Sequence, residues 1–221
     1  MRSVTRVAMV IDLSRCVGCL ACTIACIREN ISHYREGEPV LPSGNTIYYA
    51  RTKPVYSPVP SESMAVRVFT QCMHCDNPPC AIVCPTGATY RTKEGVVMLD
   101  HRKCIGCRAC VIACPYGART VYRGRISGEP LNSEALAPGY PDKCTFCYHR
   151  RNGEGLWTPA CVEACAFNAR LFGDLDDPKD PVARIVKEGK AIALYPEYGT
   201  SPKLFFVPPT RAVMVPRRKH D

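Results

Sequence analysis

Apolar positions along the chain come in short runs broken by polar residues, glycine, proline and cysteine, and no run approaches the ~18 residues of a membrane span. The first run, in VAMVIDLSRC, reads as a short strand that delivers the chain to a cysteine-rich loop. Eighty-eight residues later the pattern returns: VAMVIDLSRCVGCLACTIAC resembles VVMLDHRKCIGCRACVIAC, an internal repeat of strand and loop. Just before the second copy, TGATYRTKEGVVMLDHRK places apolar residues on both sides of Lys93-Glu94-Gly95 and predicts a β-hairpin. Residues 31–64, with Pro39, Pro42, Pro54, Pro58 and Pro60, fall outside these patterns. The C-terminal stretch KLFFVPPTRAVMVPRRKHD is apolar but interrupted by prolines, which argues against a central strand. Leu204 to Val215 is therefore expected to dock on a partner subunit, the alternative being packing against the chain's own modules.

The loops that these strands feed hold all sixteen cysteines, in four groups of four with none left over. They are Cys16, Cys19, Cys22 and Cys26; Cys72, Cys75, Cys80 and Cys84; Cys104, Cys107, Cys110 and Cys114; and Cys144, Cys147, Cys161 and Cys165. Such clustering argues for metal, since neighbouring CxxC cysteines make poor cross-links. Group three, CIGCRACVIACP, matches the bacterial ferredoxin run C-x2-C-x2-C-x3-C-P position for position. Three cysteines two residues apart wrap one face of a cubane, while the fourth points away to a neighbouring cluster. Group two keeps this pattern with two extra residues between Cys75 and Cys80, and the hairpin between groups two and three is the expected connector of a two-cluster ferredoxin. Groups one and four both lack the trailing proline, and group four is split by thirteen residues; their shared departure pairs them.

The crossed-ligand rule then predicts four sets of ligands. Cys16, Cys19, Cys22 and Cys165 hold one cluster, and Cys144, Cys147, Cys161 and Cys26 a second. Cys72, Cys75, Cys80 and Cys114 hold a third, and Cys104, Cys107, Cys110 and Cys84 a fourth. Group four alone also fits a zinc ribbon, which groups one and three do not.

Other residues carry weaker signals. The exits CPTGA, CPYGA and CAFNA put Gly87, Gly117 and Asn168 three residues beyond a ligand, where a positive φ would turn the chain; generic surface turns are the alternative. Arg15, Lys103 and Lys143 precede the first cysteine of a group, either as cations that raise a cluster's potential or as solvated charge. His74 reads as a supporting or surface residue rather than a ligand, and Trp157 as a shield for group four or simple packing.

Composition supports metal as the folding agent. Only 8% of the 221 residues are aromatic, thin for a conventional core, and ligation can replace missing apolar burial. The formal charge of +9 would suggest nucleic acid. Sixteen thiolates at about −16 and four oxidised cores at about +8 bring the loaded chain near +1, which removes that reading. There is no GxGxxG, P-loop or nucleophile motif, and every cysteine is committed to a cluster, so the chain moves electrons rather than catalysing a reaction. Cys16 follows the N-terminus too closely for a removable signal peptide, so work outside the cytoplasm would require a carrier.

Four complete motifs in this order, from about Val7 to Gly173, resemble the iron-sulfur β-subunits of the dimethyl sulfoxide reductase family. EYGTSPKLFFVP is similar to the subunits of polysulfide, thiosulfate, tetrathionate or arsenate reductases. The resemblance implies an α+β fold of two nested ferredoxin-like modules related by a pseudo-two-fold axis. Residues 1–65 and 138–180 would form the split module, 66–137 the inner one, and 181–221 a partner-binding C-terminal extension. It implies four [4Fe-4S] clusters, because no cysteine is replaced by the tryptophan that marks a [3Fe-4S] relative. The implied partners are a molybdenum or tungsten pyranopterin catalytic subunit and an integral membrane, quinone-binding subunit, with the chain held at the membrane through them. The alternative is a polyferredoxin or a subunit of a soluble cytoplasmic hydrogenase, formate dehydrogenase or tungsten oxidoreductase.

Overall fold

The computed structural model describes residues 6–30, 51–55, 66–121, 140–153 and 155–209. In chain order the elements are β1 (Val7–Asp12), α1 (Ala21–Asn30), β2 (Arg51–Val55), β3 (Val66–Thr70), α2 (Pro79–Ile82), β4 (Thr89–Arg91), β5 (Val97–Leu99), α3 (Ala109–Ile112), β6 (Thr120–Val121), β7 (Pro141–Asp142), α4 (Ala160–Glu163), β8 (Arg170–Asp174), α5 (Pro181–Lys187), β9 (Ile192–Ala193) and β10 (Leu204–Val207). The result is a small mixed α/β fold of short elements. β2 and β3 pair antiparallel, with Pro54 inside β2; Pro39, Pro42, Pro58 and Pro60 lie outside the described residues.

Five consecutive residues of β1, Val7 to Ile11, are fully buried because both faces of the strand are covered. Val7, Met9 and Ile11 point into the main core with Met73, Phe146, Trp157, Leu204 and Phe206. Ala8 and Val10 face Val182 and Ala191, with α5 packed behind. The sheet order is β8-β1-β10-β9, with β8 antiparallel and β10 parallel to β1. Asp180 fixes α5 to this sheet. Its Oδ1 accepts from the Val182 amide that opens the helix (2.8 Å) and its Oδ2 from the Asp174 amide of β8 (2.9 Å). Gly173 is required beside it, because any side chain there would run into that carboxylate.

The expectation that the C-terminal stretch cannot be a central strand is corrected here. β10 lies between β1 and β9, and Leu204 and Phe206 are fully buried in this chain's own core. The prolines do not prevent this because Pro202 and Pro208 bracket the strand without entering it, so no ladder amide is lost. Leu204 and Phe206 are thereby committed to the chain's own core, as the alternative reading had it; residues 210–215 lie outside the described residues.

The predicted hairpin forms as β4 and β5, closed by the Thr92 amide–carbonyl turn, with Gly95 at φ +80°. At its tip Glu94 is fully buried, pairing with Arg151 at 3.0 Å and accepting from the Tyr148 hydroxyl at 3.0 Å. The hairpin between groups two and three is thereby anchored to the loop of group four. α1 packs against α4, and α2 against α3. No helix among the described residues is long and apolar enough to cross a membrane.

Candidate metal centres

Each cysteine loop of the repeat starts with a turn that a carboxylate organises. Below β1, Asp12 Oδ1 accepts from the Ser14 amide (2.9 Å) and hydroxyl (2.6 Å), and the Asp12 carbonyl accepts from the Cys16 amide (3.1 Å). Asp100 repeats this below β5, accepting from the Arg102 amide (3.0 Å) before Cys104. The loops then take left-handed backbone at matched positions: Gly18 and Leu20 in group one, Gly106 and Arg108 in group three. Left-handed residues in such a loop turn successive amides to one side and create a concavity suited to anionic sulfur. Leu20 and Arg108 are strained there, and the loop is held by the helices that follow, which carry Cys22 and Cys110.

The exits are built the same way. Gly87, Gly117 and Asn168 all have positive φ (+65°, +58° and +47°). The turns aim backbone amides at the last cysteine of their groups: Thr89 at Cys84 Sγ (3.4 Å), Ala118 at Cys114 Sγ (3.5 Å) and Ala169 at Cys165 Sγ (3.3 Å). Amides directed at ligand sulfur stabilise its negative charge and raise a cluster's potential. At Cys84 burial raises the thiol, but donors from Thr89, Thr86 and Ala88 outweigh it and hold the thiol below its ordinary range.

Two hollows collect cysteines from distant groups. One is lined by Cys144, Cys147 and Cys161 of group four together with Cys26 of group one. The other is lined by Cys72, Cys75 and Cys80 of group two together with Cys114 of group three. Both sets combine three cysteines of one group with the last of another. Of the remaining eight, Cys22 and Cys110 are buried, Cys16, Cys84, Cys104 and Cys165 half-buried, and Cys19 and Cys107 exposed.

As bare thiols, Cys26, Cys144, Cys147, Cys161 and Cys75 are poorly placed to ionise. Burial, then the neighbouring thiols, pushes Cys26 and Cys144 far up; burial carries Cys75 to about 12 and Cys147 to about 11. A cationic core accepting four thiolates removes that penalty, and soft thiols in a nearly apolar hollow suit iron and inorganic sulfide.

A family model for the 4Fe-4S dicluster domain matches residues 65–175. A subunit of the tetrathionate reductase of Salmonella typhimurium is 40% identical over 204 residues, 91% of this chain and 72% of that one. The arsenate respiratory reductase iron-sulfur subunit of a Shewanella species is 35% identical, covering 91% of this chain and 96% of its own length. A polysulfide reductase subunit of Wolinella succinogenes is 35% identical, covering 92% and 94% respectively. The protein belongs to the iron-sulfur subunits of the dimethyl sulfoxide reductase family. It is an electron-transfer subunit of an oxidoreductase complex, carries [4Fe-4S] clusters and is not catalytic by itself.

In this iron-sulfur subunit, His74 is no ligand. It is fully buried, its Nδ1 accepts from the Val97 amide (3.1 Å), and its ring stacks on Phe146 at 3.7 Å. Burial, reinforced by Lys143, Lys203 and Arg119, holds the imidazole well below its ordinary value, so it is neutral. Trp157 is buried against the group-four loop, donating to the Phe146 carbonyl (2.6 Å). The three cations before the cysteine groups divide. Arg15 and Lys103 are solvated charge, whereas Lys143 is fully buried, donating to the carbonyls of Val97 and Cys144.

Two of the three exit motifs end one residue short of a buried cation. CPYGA and CAFNA each continue into an arginine, and Arg119 and Arg170 are both buried among cysteines. The recurrence of Ala-Arg after a turn residue is the signal that marks them. Asp12 and Asp100, also in register within the repeat, carry the same kind of signal.

A surface clamp holds groups one and four together. Arg150 donates to Glu29 of α1 (2.6 Å from Nη2 to Oε2) and to Glu163 of α4 (2.6 Å), while His149 joins Glu29 at 2.8 Å. Hydrogen bonds from Arg150 hold the Glu29 carboxyl at about 2, below its ordinary 4.5. Glu29→Gln is expected to cost about 1–2 kcal/mol, allowing for solvent at the partly exposed Arg150. With the folded value depressed, that contribution is complete above pH 4.5 and is lost only as the pH falls toward 2. The difference in urea midpoint between wild type and Glu29→Gln should accordingly persist down to about pH 5 and shrink as the pH falls below about 4.

Proposed function

We propose that the chain relays single electrons through four [4Fe-4S] clusters between a molybdenum or tungsten pyranopterin catalytic subunit and a quinone-linked membrane subunit. The observation that carries this reading is the pair of hollows in which three cysteines of one group meet the last cysteine of another. On that basis the clusters take Cys16, Cys19, Cys22 and Cys165; Cys72, Cys75, Cys80 and Cys114; Cys104, Cys107, Cys110 and Cys84; and Cys144, Cys147, Cys161 and Cys26. The relatives named above, subunits of reductases, favour this role over a free polyferredoxin.

The proposed nesting of two modules also has support. His74 and Phe146 each stand one residue before the second cysteine of a group, and they stack on each other. A residue touching its own counterpart fits a place beside a pseudo-two-fold axis. The helices pack in the matching pairs, α1 with α4 and α2 with α3.

Bound clusters supply one-electron reduction and oxidation; the chain's residues do the rest. Thiols and amides hold the clusters, and the buried core keeps water from the inner two. Cys19 and Cys107, at equivalent places in the repeat, reach the surface. Each is flanked by exposed apolar residues at matched positions, Val17 (61%) and Ile24 (65%) against Ile105 (64%) and Ile112 (87%). Two apolar rims around two exposed ligands suit docking at both ends of a relay.

The test is a redox titration of the purified complex followed by low-temperature EPR, with iron and sulfide assays. Four reducible centres and roughly sixteen iron per chain are expected. Fewer than four centres, or zinc in place of iron, would overturn the reading.

A further inference from the structure

Arg119 is 4% exposed, and among the described residues no carbonyl or carboxylate lies within hydrogen-bonding reach of its three guanidinium nitrogens. It lines the hollow of Cys72, Cys75, Cys80 and Cys114, and its charge acts on the thiols of Cys80, Cys110 and Cys72. Burying a guanidinium without a counter-charge is strongly unfavourable, so anionic sulfur is the partner this site is built for. Arg170 occupies the same place after its own turn in the other module. Its Nη1 is 3.7 Å from Cys161 Sγ and donates to Gln71 Oε1 (3.1 Å), and the guanidinium also faces Cys22 and Cys144.

The cysteines facing each arginine fall into two different ligand sets. Cys72 and Cys80 belong to one proposed cluster and Cys110 to the next; Cys161 and Cys144 belong to one and Cys22 to the next. An oxidised [4Fe-4S] core with four thiolates carries about −2, and reduction adds a further negative charge without making or breaking a bond. A guanidinium stays protonated throughout, so its charge favours the reduced state of whatever it faces.

We propose that Arg119 and Arg170 are shared counter-charges, one per module, each seated between two clusters and raising the potentials of both together. This rests on the four-cluster reading. A charge shared in this way makes both clusters of a module easier to reduce without setting the step between them.

The experiment is the EPR-monitored titration of the intact complex carrying Arg119→Met or Arg119→Lys. Arg119→Met should keep full iron content and shift two of the four centres downward by about tenfold in oxidised-to-reduced ratio at fixed potential, about 59 mV for one electron. The other two centres should not move, and Arg119→Lys should restore most of the shift. Arg170→Met should move the complementary pair. Should Arg119→Met lose iron, Arg119→Gln, which keeps polar reach without charge, takes its place with the same expected shift. Potentials unchanged in Arg119→Met, only one centre shifted, or equal shifts in the Lys and Met variants would overturn the proposal. Its failure is distinct from failure of the four-cluster reading, which shows in the wild-type titration alone.

Discussion

Cys26→Ser should remove or convert the cluster of group four, not that of group one. Cys26 follows Cys22 by four residues on α1, about 6 Å further along the helix axis, and it lines the hollow of Cys144, Cys147 and Cys161. The EPR signature of Cys26→Ser should match that of Cys144→Ser and differ from that of Cys16→Ser, with about a quarter of the iron lost or one centre converted to [3Fe-4S]. Serine keeps the volume but is a poor ligand at neutral pH, so the effect is one of ligation rather than packing. Were each group to hold its own cluster, Cys26→Ser would match Cys16→Ser instead, and the crossed plan would fall.

Phe206→Ala is expected to destabilise the protein by about 3–5 kcal/mol, a large part of the roughly 5–15 kcal/mol available to a domain. Phe206 has no exposed surface, sits opposite Ile11 in the parallel pair of β1 and β10, and lies in the core cluster that also contains Cys22, Cys72, Cys75, Cys144 and Cys161. A cavity there loosens the walls of the hollows, so iron retention should fall together with the unfolding midpoint. Phe205→Ala, on the half-buried opposite face toward α5, should cost less. Truncation before Lys203 removes β10 altogether and should yield no iron-loaded protein. Urea unfolding of the holo-protein and iron assay after desalting check both; a Phe206→Ala cost under about 1 kcal/mol would show that β10 is peripheral.

Local features are legible where the chain itself enforces them. A turn at Lys93-Glu94-Gly95 between apolar runs leaves little choice but a hairpin, and Gly87, Gly117 and Asn168 are residues that tolerate the positive φ they adopt. The status of Lys143 was not readable, because it has the same sequence context as Arg15 and Lys103 yet lies fully buried where they are solvated. The C-terminal strand escapes local pattern for a related reason. A parallel partner almost two hundred residues away leaves no trace in local pattern, and prolines that bracket a strand look like prolines that break one.

By itself, then, the sequence determined the cysteine groups, the repeat of strand and loop, and the turns at the exits, because spacing and φ preference act within a few residues. Only the tertiary structure decided that β10 is central, that Glu94 at the hairpin tip meets Arg151 and Tyr148 of the group-four loop, and that Arg119, Arg170 and Lys143 lose their water. Burial and the meeting of distant side chains depend on how whole elements pack, and no single segment carries that information.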